Sequence, residues 1–396
     1  MRPIALLALL SACEPKGDAP AACDEIGLDV PSGRGEWGGG FDAGRQRMIV
    51  FGGNQAVPVD CAPGATDFVG ETWAFDLNCG AWIRQTPADA PKARGRFITA
   101  VDGDRLLLHG GRFRRETSGN YDLFDDLWAY DFASDAWSKL ESGGGPGERF
   151  NHAGAILGGD LLLFGGNTSP NGAVYAPQDD TWAWDLAGGG WSELTTSNNP
   201  PARVFHAAAT DGELLYVYGG GDEDVLFGTG MFGDLWALDP ASGEWTELHD
   251  GADDAPEARI WATLEWDAVT SRLVMFGGHD ASNLGNNNEV WTFDPATATW
   301  DRQLRGDRYN RPANDVCDFP ANFATIDDAS PERREAAAAG LTDAGQLLVV
   351  GGKSDCGNLN DVWSLDPASA TWTERFAATE GEACLRTKDD CEAMCY

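Results

Sequence analysis

The chain has 396 residues and a formal net charge of −35, from 28 basic and 63 acidic side chains. So large a negative charge repels a phosphate backbone, and nucleic acid is therefore excluded as an expected partner. Fifty glycines and sixteen tryptophans indicate many short strands joined by tight turns, and no long helical periodicity is visible. The composition favours an all-β protein.

The N-terminal segment has the features of an export signal. Residues 1–12 begin with a positive charge at Arg2 and continue as a short apolar stretch. The sequence Leu10-Ser11-Ala12-Cys13 resembles the lipobox of bacterial lipoproteins, which implies cleavage before Cys13, attachment of lipid to its sulfur and a place in the bacterial cell envelope. Residues 13–33 would then be a tether, and membrane contact is expected only through the lipid. An ordinary signal peptide followed by a coincidental cysteine is the alternative.

Eight cysteines remain if Cys13 carries lipid, an even number that suits disulfides outside the cytoplasm. They are Cys23, Cys61, Cys79, Cys317, Cys356, Cys384, Cys391 and Cys395. The sequence does not determine their pairing. We expect a bridge between Cys317 and Cys356, and we expect Cys23 and the cysteine-containing tail of residues 376–396 to help staple the chain ends.

A sixfold internal repeat organises residues 34–375. In each copy a hydrophobic strand ends in a glycine pair, a strand with a tryptophan follows, and a second tryptophan comes nine residues later. The glycine pairs begin at Gly52, Gly110, Gly165, Gly219, Gly277 and Gly351. The tryptophan pairs are Trp73 and Trp82, Trp128 and Trp137, Trp182 and Trp191, Trp236 and Trp245, Trp291 and Trp300, and Trp363 and Trp372. This pattern predicts four strands per unit, with tryptophans packed between neighbouring units.

The glycine pair followed by two spaced tryptophans resembles the kelch repeat. The resemblance implies a six-bladed β-propeller, like that of galactose oxidase, with four antiparallel strands in each blade. The expected blades span about residues 34–83, 94–138, 149–192, 203–246, 259–301 and 333–374. Because a closed ring has no intrinsic need for a second subunit, we expect a monomer.

An arginine opens the first strand of every unit. The six arginines are Arg34, Arg94, Arg149, Arg203, Arg259 and Arg333. Because the first strand is innermost in propellers of this type, we expect these side chains to encircle one mouth of the central channel and to bind an acidic ligand. The alternative is that each arginine pairs with an Asp or Glu of the neighbouring blade and only pins the ring.

The loops on the same face are long and unequal, which is typical of binding loops on a rigid scaffold. The longest connection follows Trp300 and precedes the last repeat. It carries four arginines against the general acidity of the chain, namely Arg302, Arg305, Arg308 and Arg311. Loops of this length are usually functional or else linkers, and we predict partner contact here.

No catalytic constellation, metal-ligand spacing or cofactor motif in the sequence is convincing. We therefore expect a non-catalytic module, without metal or cofactor, that binds a protein or a glycan at its loop face. The alternative is an enzyme, because exported six-bladed kelch propellers include sialic acid epimerases that hold an acidic sugar near arginines. In that case His152, His206 and Glu148 are the titratable groups nearest the expected mouth.

Overall fold

The computed structural model describes residues 23, 29–56, 67–115, 119–142, 144–172, 174–225, 229–252, 254–280, 285–310, 324–354 and 357–379. Across these ranges the chain forms strands and turns without an α-helix. Accordingly, the described ranges contain no helix long and apolar enough to span a membrane. Several predicted features lie outside them, namely the signal peptide, Cys13, Cys61, Arg311, Cys317, Cys356, Cys384, Cys391 and Cys395.

Six four-stranded antiparallel sheets form the described structure. Blades one and two comprise the strands Gly38–Asp42, Arg47–Phe51, Thr72–Asp76 and Ala81–Gln85, then Ile98–Asp102, Arg105–His109, Asp126–Asp131 and Ala136–Ser142. Blades three and four comprise Ala153–Leu157, Asp160–Asn167, Pro177–Asp185 and Trp191–Glu193, then Ala207–Thr210, Leu215–Tyr218, Leu235–Asp239 and Glu244–His249. Blades five and six comprise Thr263–Asp267, Arg272–Phe276, Val290–Asp294 and Thr299–Leu304, then Ala338–Leu341, Leu347–Ser354, Gly357–Asp366 and Thr371–Phe376. The predicted all-β class with four antiparallel strands per blade is confirmed.

Short strands outside the blades belong to the loops. They are Arg112–Phe113, Asp122–Leu123, Arg259–Ile260, His279–Asp280, Gly285–Asn286, Arg308–Tyr309 and Ala324–Thr325.

The register of blade one defines the two faces of the propeller. Asp42 lies opposite Arg47, Arg47 opposite Asp76, and Asp76 opposite Ala81. Both tight turns of the blade therefore lie at one end, which we call the turn face. The glycine pairs and the loops between blades lie at the opposite end, which we call the mouth face.

Aromatic contacts join each blade to the next. The residue before a glycine pair packs against the second tryptophan of the following blade, with ring centroids 4.9–5.3 Å apart in five of the six junctions. At the sixth junction, Val350 and Trp82 share one buried cluster. These tryptophans are therefore the packing between blades that the repeat predicts, and each buried aromatic contributes its apolar area to the core.

Two rings of backbone hydrogen bonds close the structure. The second glycine of each pair donates its N–H to the carbonyl of the arginine that opens the next blade, at 2.9–3.0 Å, and Gly352 of blade six donates to Arg34 of blade one. A side chain on the first glycine is excluded by this packing, because a Cβ at Gly52 would lie 2.6 Å from the carbonyl oxygen of Arg94. The second ring joins the residues two positions after these arginines, at 2.9–3.3 Å.

The six predicted mouth arginines are not open to the channel. Five of them are buried and pair with a carboxylate of their own blade, which corrects the ligand-site hypothesis and also the alternative of pairing with a neighbouring blade. The pairs are Arg34 with Glu71, Arg94 with Asp126, Arg149 with Asp180, Arg203 with Asp234, and Arg259 with Glu289. Each guanidinium also donates to the carbonyl of the first glycine of its pair, at 2.8–3.4 Å.

Blade six uses Arg334 in this role, and the prediction of Arg333 is wrong. Arg334 pairs with Asp361 at 2.6 Å and donates to the carbonyl of Gly351. Arg333, one residue earlier, turns instead to Asp307 in the long connection, at 2.6 Å. Two adjacent arginines made the register ambiguous, and only the paired carboxylate distinguishes them.

A disulfide joins Cys23 to Cys79, with Cα atoms 5.5 Å apart. Cys79 lies in the turn between the third and fourth strands of blade one, on the turn face. Cys23 therefore fastens the tether to blade one, whereas the sequence suggested a role with the C-terminal tail. The bridge closes a long loop of chain and restricts the unfolded state.

Replacing Arg203 with Met is expected to lower the free energy of unfolding by about 3–5 kcal/mol, because it leaves the carboxylate of Asp234 buried without its partner. Arg203 has a fully buried side chain in this pair. Arg105→Met is the control, since Arg105 pairs with Asp102 at the surface, where such pairs contribute at most about 1 kcal/mol. Denaturant unfolding measures the free energy of unfolding of both variants. Equal decreases would show that the buried ion pairs do not stabilise the blades more than a surface pair does.

Candidate binding site at the channel mouth

The inner ring of backbone hydrogen bonds forms the rim of the channel on the mouth face. Its residues are Glu36, Arg96, Asn151, Phe205, Trp261 and Ala336. All six have left-handed backbone conformations, with φ between 51° and 63°, although none is glycine. Their side chains line a cavity of about 150 Å³ at the end of the channel. The repeat thus keeps the backbone constant at this position while the side chain differs in every blade.

Two of the six rim residues, Glu36 and Arg96, are charged, and Lys353 and Arg112 lie next to them. The carboxylate of Glu36 is buried, with 1% of its side chain exposed, and it accepts an ion pair from Arg96 at 2.8 Å. Lys353 contacts the other carboxylate oxygen, and Arg112 lies 3.6 Å away. The side chains of Arg96 and Lys353 are 10% and 12% exposed. One carboxylate therefore faces three cations, two of which reach solvent.

The pKa values of two buried carboxyl groups at the rim shift in opposite directions. Burial alone would raise the pKa of Glu36, but the positive charges of Arg96, Lys353 and Arg112 outweigh it and hold that pKa well below its usual range. Burial raises the pKa of Glu335, which lies beside this group. Glu36 is thus ionised at neutral pH and leaves a surplus of positive charge among the four side chains.

Two of the six rim residues, Phe205 and Trp261, are aromatic. The guanidinium carbon of Arg96 lies 4.8 Å from the ring centroid of Trp261 and 5.4 Å from that of Phe205. Arg112 stacks in the same way on Tyr121, at 4.0 Å. Trp261 is half-buried. Such cation–π stacking holds both guanidinium groups in place and presents an indole edge beside them.

The histidines proposed for an enzyme are buried among the blades. His152 contacts His109 at 3.0 Å, and His206 contacts the carbonyl of Phe164 at 3.1 Å. Burial lowers the pKa of His109 and of His206 to about 3, and it lowers that of His152 well below its usual range. Glu148 is exposed in a cleft with Trp128 and lies outside the rim. His152 and His206 line the cavity at the rim, where burial favours their neutral forms, and a catalytic role for them stays a prediction.

The arginines predicted for partner contact lie in several environments. Arg302 pairs with Glu289 at 3.2 Å and stacks on Trp291 at 5.3 Å. Arg305 and Arg308 are exposed, and Arg308 lies in a two-stranded ladder opposite Thr325. Partner contact at these residues stays a prediction. Over the described part of the chain, no group of three His, Cys, Asp or Glu side chains has the arrangement of a metal site.

Sequence reasoning missed Glu36, Arg96 and Lys353. Glu36 and Lys353 stand at opposite ends of the repeat region, and they meet because blade six lies beside blade one. A signal is visible once unit six is aligned on Arg334, because a different residue then stands two positions after the arginine in every blade. Variable positions on a constant scaffold are where a repeat protein places recognition.

A family model described as the KLHDC2/KLHL20/DRC7 Kelch-repeats domain matches residues 151–383. The chain is 26% identical over 295 residues to Kelch domain-containing protein 10 of Xenopus tropicalis, covering 72% of this chain and 65% of that protein. It is 30% identical over 265 residues to multiple epidermal growth factor-like domains protein 8 of Rattus norvegicus, covering 62% of this chain and 9% of that protein. It is 26% identical over 257 residues to N-(sulfonatooxy)prop-2-enimidothioate sulfolyase of Thlaspi arvense, covering 60% of this chain and 70% of that protein. The chain thus spans less than two thirds of the first relative and less than a tenth of the second.

The buried histidines predict how stability depends on pH. Because the folded pKa of His206 is about 3, below its usual 6.5, the unfolded state binds more protons and stability falls as the pH drops from 6.5. His206→Phe should flatten this fall by about 1.4 kcal/mol per pH unit between pH 6 and 4.5. Phenylalanine fits here, since Phe97 holds the equivalent place in blade two and packs on Phe51.

Thermal unfolding at several pH values measures this effect. Phe97→Leu, which changes the equivalent non-ionisable side chain of blade two, is the control and should leave the pH slope unchanged. If His206→Phe has the wild-type slope, then His206 is not held neutral in the folded protein.

Proposed function

Because the chain belongs to the kelch-repeat family, we propose that it is a protein-binding propeller that holds an acidic side chain of its partner at the channel mouth. The observation that carries this proposal is the surplus of positive charge at the rim, where the three cations Arg96, Arg112 and Lys353 outnumber the two buried carboxyl groups of Glu36 and Glu335.

The chemistry of the rim suits a carboxylate ligand. Buried charge without compensation is costly, so an incoming anion gains both direct ion pairs and relief of the surplus. Arginine offers a planar pair of donors, and Lys353 adds a mobile ammonium group at the surface. Trp261 supplies a flat apolar wall for the carbon atoms that carry the carboxylate. On a chain of net charge −35, this rim is a local exception that selects acidic groups in a defined orientation.

We also propose that the chain is exported to the bacterial cell envelope and anchored by lipid on Cys13. The support is the apolar segment followed by Leu10-Ser11-Ala12-Cys13. The disulfide between Cys23 and Cys79 agrees with export, because structural disulfides persist mainly outside the cytoplasm. The exposed loops, including Arg305 and Arg308, would then extend the contact with the partner around the rim.

Lys353→Met should weaken binding of an acidic peptide roughly tenfold, because it removes one charge-assisted hydrogen bond of about 1.5 kcal/mol. The probe is a fluorescent decapeptide that alternates Gly and Glu, and fluorescence anisotropy measures its affinity. The matched control is Lys139→Met, since Lys139 is an exposed lysine that stacks on Trp128 away from the rim.

A peptide with Gln in place of Glu should bind wild-type protein much more weakly. Equal affinity for the Glu and Gln peptides would contradict the proposal. Tight binding of an oligosaccharide of uronic acids, with no binding of the Glu peptide, would show that the partner is a glycan and not a protein.

Metabolic labelling with palmitate tests the anchor. Wild-type chain expressed with its N-terminal segment should incorporate the label and sediment with membranes, whereas Cys13→Ser should lose the label. Cys61→Ser is the control and should keep it. Labelling that persists in Cys13→Ser would exclude lipidation at this cysteine.

A further inference from the structure

The interior of the channel contains a second chemical feature, separate from the rim. The first strands of the blades line a cavity of about 570 Å³. Six positions after each blade arginine, the strands reach the same depth in the channel, with the residues Gly40, Ala100, Ala155, Ala209, Glu265 and Gly340. Five blades place glycine or alanine at this depth. Blade five places a carboxylate there.

Glu265 has no counter-ion within the described structure. None of the described residues forms an ion pair or a side-chain hydrogen bond with its carboxylate, and the other ionisable side chains that line the channel are His152 and Asp343 near its ends. Burial raises the pKa of Glu265 to about 7, with no neighbouring charge opposing it. A carboxylate in this setting gains strongly from any cation that can reach it.

The shape and charge of the channel decide which cation can reach Glu265. A divalent metal ion needs several oxygen or nitrogen ligands, and this depth offers one carboxylate among glycines and alanines. A primary ammonium group brings three hydrogen-bond donors, and a thin alkyl chain can lie along small side chains. The mouth is blocked to cations by Arg96, Arg112 and Lys353, so entry from the turn face is favoured.

The turn face attracts cations. The third strand of every blade ends at this face in an aspartate. The six aspartates are Asp76, Asp131, Asp185, Asp239, Asp294 and Asp366. Asp343 lines the channel at the same end. We propose that the channel binds a slender primary amine, of the alkyl diamine class, which enters from the turn face and pairs its ammonium group with Glu265.

Titration with putrescine tests this site, and 1,4-butanediol is the neutral compound of the same length. At pH 8.5, where Glu265 is ionised, putrescine should raise the thermal midpoint of the wild-type protein by mass action, whereas butanediol should not. Glu265→Gln and Glu265→Ala should weaken putrescine binding at least tenfold. Both variants are expected to fold, since blades two, three and four carry alanine at this depth.

Glu148→Gln is the control for loss of one acidic surface charge, because Glu148 is exposed in a cleft outside the channel, and this variant should bind putrescine within a factor of about two to three of wild type. Methyl NMR of Ala100 and Ala155 should show shifts that saturate with putrescine and vanish in Glu265→Gln. The proposal fails if wild-type protein shows no saturable binding, or if Glu265→Gln binds as tightly as wild type. Neither result bears on the acidic-peptide site, because that site lies at the rim.

Discussion

The buried arginine that opens each blade is the interaction on which the ring depends. Its guanidinium group is removed from water, so every donor must find a partner. The carboxylate two residues before the first tryptophan neutralises it, and the same carboxylate accepts the indole N–H of that tryptophan at 2.7–3.1 Å. The carbonyl of the first glycine completes the set. First, second and third strands of a blade are thereby fixed together at the mouth face, and the second glycine is positioned to donate to the next blade.

This use of the arginines decides where recognition is possible. A ligand at Arg203 would have to displace Asp234 and break a buried ion pair, which costs more than a surface contact returns. The side chains of the rim residues two positions later are not needed to close the ring, because only the backbone atoms of these residues form its hydrogen bonds. Glu36, Arg96 and Trp261 are therefore free to differ in chemistry without loss of closure. Constant and variable positions stand two residues apart in the segment that leads into the first strand of each blade.

The repeat was enough to predict the class of fold and the packing of the tryptophans, because both follow from residues close together in each unit. It was not enough to predict the role of the arginines. Their partner carboxylates were visible as the acidic residue two positions before the first tryptophan of every unit, but only the folded blade shows that Asp234 pairs with Arg203. The cluster of Glu36 with Lys353 depends on closure of the ring, which joins chain segments far apart in sequence. Glu265 becomes conspicuous only when the inner strands are aligned by depth.

The backbone of the rim explains why its side chains suit recognition. A residue other than glycine in the left-handed region costs about 1–2 kcal/mol, and six such residues stand side by side here. Each is held by a hydrogen bond to the blade on either side, so none can relax unless the ring opens. The directions of the Arg96 and Trp261 side chains are thus set before any ligand arrives, and little conformational entropy is lost on binding. The closed ring therefore gives a preorganised site. The hydrogen bonds at its six junctions keep the strained left-handed backbone conformations in place.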